Sequence, residues 1–262
     1  MDKVISADGT EIAYEAVGSG PTVIIVGGAF CDHHATTELA AALAENFTAV
    51  SYDRRGRGES GDTLPYAVRR EVEDIEALIA HFGDRAYLHG LSSGGALCLV
   101  AAASGAPLIA VSMVEPPYRV SQDAPRPPAG YTDNIIELTS TGRRGEAVEL
   151  FMTQAVGQSQ EAVEETKKMP MWPALEAMSH TLAYDAHVMG GDASPLPEAM
   201  LATLSAPTLA VYSTASPDWL AEGAQAVGKL APHGQSAGYE GAFHEVPVPT
   251  LAPVLTKFYL AS

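Results

Sequence analysis

Gly90-Leu91-Ser92-Ser93-Gly94 is the stretch that decides the fold. It fits G-x-S-x-G, a pattern whose demands are steric. A nucleophile at its centre sits on a sharp turn between a strand and a helix, and its neighbours must be small for the backbones to approach. The flanks supply that context: residues 85–89 read as a strand and Ser93–Ala103 as an apolar helix. At the start of that helix the Ser93 backbone N–H can point at a developing oxyanion, with the helix dipole behind it.

Outward from this turn the chain alternates between strand and helix signals. An Asp8-Gly9 turn joins strands over 4–6 and 11–17 in an opening hairpin. Thr22–Val26 and Thr48–Tyr52 are short apolar runs suited to strands buried on both faces. Helices are predicted over 35–44 and 65–82. In the second, Val68, Val72, Ile75, Leu78, Ile79 and Phe82 form one apolar stripe. Leu108–Val114 is the next strand. From 116 to 204 no strand is predicted: a proline-rich entry precedes helical stretches over 132–140, 146–155, 160–169 and 175–189. Alternation resumes with a strand over 207–212, a helix over Asp218–Leu230, a strand over 235–239 and a helix over 249–260. The expected fold is α/β. It has a mostly parallel eight-stranded sheet with an antiparallel N-terminal hairpin strand, a core of residues 1–115 and 205–262, and a helical cap over 116–204. Ligands of such sheets bind beyond the C-terminal strand ends, where every candidate residue falls.

Over about residues 10–115 and 205–262 the chain resembles the α/β-hydrolase fold superfamily, in its capped lipase/esterase-like branch. Besides the pentapeptide, Asp53-Arg54-Arg55-Gly56-Arg57-Gly58-Glu59-Ser60 resembles that family's D-x-R-G-x-G-x-S turn. Val26-Gly27-Gly28-Ala29-Phe30 stands at its His-Gly-x oxyanion loop. Gly27 replaces the usual histidine, which removes a side chain that often steadies the loop and leaves the backbone donor, assigned to Ala29.

A serine hydroxyl needs a base. The resemblance implies His244, in the loop between the last strand and last helix, and the chain order Ser…acid…His is the one expected. The triad acid has two candidates. The usual family position follows the strand over 207–212, where Ser216 now stands; Asp218 comes two residues later, at a helix start where an Asp is often a capping residue. Glu115 closes the strand after the nucleophile helix. A carboxylate there, fixed by Pro116 and Pro117, needs a partner, and an imidazolium supplies one, so Glu115 is preferred.

Residues expected to contact substrate are Phe30 and His34 beyond the oxyanion loop, and Trp172 and Tyr184 in the cap. In the cap, Met171, Trp172, Leu175, Met178, Leu182 and Met189 recur at helical spacing, as a face packed on the core or as a pocket roof; His180, Tyr184, Asp185 and His187 sit among them. Cys31-Asp32-His33-His34 holds four potential metal ligands, but consecutive residues cannot all converge on one ion, so no metal and no cofactor is expected.

The composition bounds the partners. With 47% hydrophobic and 18% charged residues the chain can bury a sizeable core, and its net charge of −17 disfavours nucleic acid and anionic membrane surfaces. Two cysteines without CxxC spacing, no signal-peptide pattern and no apolar run of about 18 residues point to a cytoplasmic protein. The expected partner is a small-molecule substrate, and the expected state a monomer or homodimer. The expectation is a serine hydrolase acting on a small to medium ester, lactone or related acyl compound. A lyase, cyclase or C–C cleaving enzyme on a natural-product scaffold is one alternative, and a ligand-binding module with a vestigial triad is another. Epoxide hydrolase or dehalogenase chemistry on this fold needs an Asp at position 92, where this chain has Ser.

Overall fold

The computed structural model describes residues 1–122 and 124–262. One eight-stranded sheet runs through it: β1 (Asp2–Ile5), β2 (Glu11–Gly18), β3 (Thr22–Val26), β4 (Thr48–Tyr52), β5 (Ala86–Leu91), β6 (Leu108–Val114), β7 (Thr208–Ser213) and β8 (Gly234–Tyr239). Their spatial order is β1-β2-β4-β3-β5-β6-β7-β8. The β1–β2 and β2–β4 pairs are antiparallel, and every pair from β4–β3 onward is parallel. On leaving β3 the chain goes to β4 on one side, then returns to β5 on the other. This reversal opens a crevice at the C-terminal ends of β3 and β5, the place where α/β sheets hold ligands.

The helices are α1 (Thr37–Leu43), α2 (Val68–Phe82), α3 (Ser93–Ala103), α4 (Tyr131–Ser140), α5 (Arg144–Leu150), α6 (Gln160–Thr166), α7 (Trp172–Met178), α8 (Leu182–Val188), α9 (Glu198–Leu201), α10 (Asp218–Leu230) and α11 (Val248–Leu260). Strand alternation sorts them into two layers. Ile24 and Val26 of β3 join a core cluster with Val72, Ile75 and Leu78 of α2, Leu97 of α3 and Val227 of α10. Val23 and Ile25 join the opposite cluster with Leu39 and Leu43 of α1 and Leu255 and Tyr259 of α11. The central strands are therefore apolar on both faces, as parallel strands covered by helices must be.

Between β6 and β7 the named elements are helices only, α4 to α9. The single helix expected over 175–189 is broken: α7 and α8 are joined by a 3₁₀ turn at Ser179–Thr181, and Ser179 and Thr181 hydroxyls bond back to the Glu176 and Met178 carbonyls. Such back-bonding competes with the regular ladder and bends the axis. The stretch expected over 146–155 ends in a π-helical turn, Phe151–Val156, stopped by Gly157 at φ 84°. Among the described residues no helix is long and apolar enough to cross a membrane.

Candidate active site

Ser92 occupies the turn between β5 and α3 with φ 57° and ψ −124°, a conformation that L-residues rarely adopt. Tertiary bonds hold it there. Its N–H donates to the Val114 carbonyl at 2.9 Å, and its own carbonyl accepts the Gly95 N–H at 2.9 Å to begin α3. The glycines are there because backbones crowd them. A Cβ on Gly94 would meet the Gly27 carbonyl oxygen at 2.6 Å and one on Gly95 would meet Met113 Cβ at 2.8 Å. Helix α3 thereby lies close enough to β3 to bring Ser92 beside the Gly27–Gly28–Ala29 loop.

At the end of β6, Glu115 is fully buried with φ 45°. One carboxylate oxygen, Oε2, lies 2.7 Å from His244 Nδ1, and Oε1 accepts the Ser213 backbone N–H at 2.7 Å. The Glu115 N–H donates to Val211 O at 2.9 Å, so β7 clamps the acid from backbone and side chain alike. With Nδ1–H committed to the carboxylate, Nε2 is left as the acceptor that a general base requires. His244 itself has φ 58°, and its N–H donates to Ser216 Oγ at 2.9 Å. Ser216, at the position where a triad acid is usual, thus grips the histidine loop instead. Asp218 is exposed on the first turn of α10 and forms no hydrogen bond with His244.

Ser92 and His244 line one cavity of about 330 Å³, walled mainly by apolar side chains such as Tyr131, Phe151, Leu182, Met189 and Leu220. Ala29 and Ser93 are on its wall too. The Ser93 N–H belongs to the first turn of α3, where no helical carbonyl can accept it, and stays available for an oxyanion.

A buried ionic cluster supports this wall, and the sequence reading did not anticipate it. Asp185 of α8 accepts from Arg54 Nη1 at 2.7 Å, Arg57 Nη2 at 2.8 Å and Ser93 Oγ at 2.7 Å. Arg54 also pairs with Glu71 through Nε at 2.7 Å and Nη2 at 2.8 Å. The two arginines reach the Gly27–Gly28–Ala29 loop, Arg54 Nη1 donating to Gly27 O at 3.3 Å and Arg57 Nη1 to Gly28 O. They supply the steadying that a histidine at position 27 would otherwise give; a side chain there would meet Cys31 Cβ at 2.7 Å. Burial alone raises the Asp185 carboxyl, but Arg57 and Arg54, with the Ser93 hydroxyl, outweigh it and hold the group below its usual 3.8. Nothing in the local sequence distinguishes Asp185 from other helix-surface acids; only the packing of α8 onto α3 brings it to the site.

The expected substrate contacts stand apart from the cavity wall. Phe30 packs edge-on against Phe151, ring centroids 5.2 Å apart, and so backs a wall residue. His34 is exposed on the turn before α1. Trp172 packs with Val148, Met152 and Leu175 and borders a surface cleft beside Arg143 and Glu176. Tyr184 stacks on Tyr66 at 3.8 Å and donates to Asp62 at 2.8 Å. The wall instead carries residues without a sequence signal, among them Arg119, Asp192 and Trp219. His33 Nδ1 lies 2.9 Å from buried Asp53, which explains one histidine of the Cys31–His34 stretch as a structural partner. Among the described residues no group of three or more His, Cys, Asp or Glu is placed to hold a metal ion.

Comparison with known proteins gives a consistent result. The model of the alpha/beta hydrolase family matches residues 20–253. The solved structure of an alpha/beta hydrolase from Sphaerobacter thermophilus DSM 20745 is 44% identical, with a TM-score of 0.92 over 98% of this chain and 100% of that one. The enol-lactonase from Burkholderia xenovorans LB400 shares the fold, at TM-score 0.75 and 16% identity over the whole of both chains. The uncharacterized hydrolase YraK of Bacillus subtilis (strain 168) is 33% identical over 99 residues, 36% of this chain and 36% of that relative, so the match spans about a third of its length.

Proposed function

The chain belongs to the alpha/beta hydrolase family, and from that premise we propose that it is a serine hydrolase cleaving a small to medium ester, lactone or related acyl compound. The observation that carries the reading is the 2.7 Å contact of buried Glu115 with His244 Nδ1, on a histidine that shares its cavity with Ser92. In this reading His244 Nε2 takes the proton of the Ser92 hydroxyl as Oγ attacks the carbonyl carbon. Glu115 holds the imidazole tautomer and offsets the imidazolium charge. The Ala29 and Ser93 backbone N–H groups receive the negative oxygen of the tetrahedral intermediate. His244 then returns the proton to the leaving alkoxide, and water, deprotonated by the same ring, resolves the acyl-enzyme. The helical insertion, residues 116–204, acts as a cap over the cavity. Free Cys31 and Cys98 fit a cytoplasmic setting.

The test is covalent labelling with kinetics. A fluorophosphonate should add to Ser92 of the wild type and leave Ser92→Ala unmodified. Glu115→Gln should lower kcat by about 10⁴-fold, as expected when the base loses its orienting carboxylate, and Asp218→Asn should leave it nearly unchanged. Full turnover by Ser92→Ala would refute the acyl-enzyme, and the reverse ranking of the two acid variants would refute the triad.

A further inference from the structure

Resting on the hydrolase reading, we propose that Arg119 is a carboxylate-recognition residue, and that the physiological substrate is an acyl compound carrying a free carboxylate. Arg119 follows Glu115 by four residues and lies on the wall of the cavity that holds Ser92 and His244. It is 7% exposed. Its backbone ties the start of the insertion to a segment near its end, the N–H donating to Ser194 O at 2.9 Å. Its guanidinium carbon lies over Trp219, 3.6 Å from the ring centroid, and Nη2 donates to Ala155 O at 2.9 Å. Nε and Nη1 have no hydrogen-bond partner among the described residues.

This arginine differs from the other buried ones. Arg54 pairs with Glu71 and Asp185, Arg55 with Asp74 and Asp8, and Arg57 with Asp185. Arg119 has no carboxylate partner among the described residues, and the acids sharing its cavity are already spent. Asp185 is held by Arg54, Arg57 and Ser93, and Asp192 accepts the Gly130 and Thr132 N–H groups and the Thr132 hydroxyl. A desolvated, unpaired cation is costly to keep, and Trp219 recovers only part of that cost. Burial, helped by the charge of Arg126, pulls the Arg119 guanidinium down to about 10, which still leaves it charged near neutrality. What completes the site is an anion. Nη1 and the second hydrogen of Nη2 form the end-on edge of the guanidinium, and a carboxylate matches that edge. With the acyl carbon at Ser92 and the carboxylate at Arg119, the natural substrates are half-esters of dicarboxylic acids or carboxylated lactones.

Two measurements test this independently. The first is calorimetric binding of glutarate and of neutral pentanamide to the wild type and to Arg119→Gln, which needs no turnover. Glutarate is expected to bind the wild type and to lose about 100-fold in affinity in the variant, the scale for removing one partner of a buried charge pair. The second is the ratio of kcat/KM for the p-nitrophenyl half-ester of glutaric acid over that for p-nitrophenyl pentanoate. The ratio should exceed one in the wild type, fall about 100-fold in Arg119→Gln, and take an intermediate value in Arg119→Lys, which keeps the charge without the fork and serves as the folded variant if Gln unfolds. Failure of wild-type protein to bind glutarate, or a ratio untouched by either substitution, overturns the proposal. Glutarate binding that depends on Arg119, with no turnover of either ester, upholds the anion site and refutes the hydrolase reading alone.

Discussion

Asp185→Asn removes one negative charge from between two buried guanidinium groups and keeps the side-chain volume. Arg54 retains both bonds to Glu71. Among the described residues Arg57 loses the one carboxylate it pairs with, and its Nε has no acceptor there, so the damage concentrates at Arg57. Breaking a buried ion pair by removing one partner costs about 3–5 kcal/mol, and the surviving Glu71 contact puts this case near 3 kcal/mol. For a chain of this size that is a fall in Tm of roughly 6–12 °C. Activity should fall too, because Arg57 also holds the Gly28 carbonyl beside the proposed oxyanion donor Ala29. Loss of an oxyanion donor costs about 10²–10³ in kcat, and a loosened one roughly 10–100-fold. The control is Asp8→Asn, whose partner Arg55 keeps both bonds to Asp74. Scanning fluorimetry and turnover of a p-nitrophenyl ester read both effects. If Asp185→Asn melts within 1–2 °C of Asp8→Asn, on the roughly 2–4 °C per kcal/mol scale, and turns over normally, the cluster does not organise the site and the reasoning fails.

Burial lowers the His89 imidazole to about 4 from 6.5. The folded value lies below the unfolded one, so the unfolded chain takes the proton first; stability is full above about 6.5 and declines by roughly 3 kcal/mol down to pH 4. Denaturant titration from pH 7 to 4 should show that slope in the wild type, and a flatter one in His89→Gln. Asp185 runs at lower pH: its folded value is depressed, so its contribution is present above 3.8 and is lost as pH falls through the folded value. Melting curves of Asp185→Asn should lose that part of the acid slope, and an unchanged slope would contradict it. Gly94→Ala drives a Cβ into the Val26 and Gly27 carbonyl oxygens and should cost about 1–3 kcal/mol with a clear drop in kcat. Gly105→Ala has open space, and carries only the strain of φ 87°, about 1 kcal/mol, with kcat unchanged. Ser216→Ala frees the His244 N–H and should cost about 1 kcal/mol, and a several-fold loss of kcat would follow from the loosened base.

Much of the frame was legible because its signals are local. Thr22–Val26, Thr48–Tyr52, Ser93–Ala103, Leu108–Val114 and Asp218–Leu230 have the bounds that their apolar runs and turn residues imply. The insertion was read less well. Its helices are short, and the break at Ser179–Thr181 depends on hydroxyls bonding back to the helix rather than on glycine or proline. The expected contacts Phe30, His34, Trp172 and Tyr184 were chosen by residue type and rough position. Which way a helix turns its face is set by its neighbours, and α8 presents Asp185 to the cavity while Tyr184 stacks on Tyr66.

By itself the sequence determined the order of strands and helices in the core and the strained turn at Ser92, since these rest on patterns and steric demands met within a few adjacent residues, while the resemblance to the family pointed to the loop that carries His244. The sequence offered Glu115 and Asp218 as partners for His244 and gave no sign of the Arg54–Asp185 pair; tertiary structure decided which charges meet. Glu115 and His244 are 129 positions apart, and Arg54 and Asp185 are 131 apart. Such pairs form only when strand ends and helices from distant segments converge. The free energy that selects them, desolvation weighed against Coulomb attraction in a closed space, exists only once the surrounding chain has excluded water.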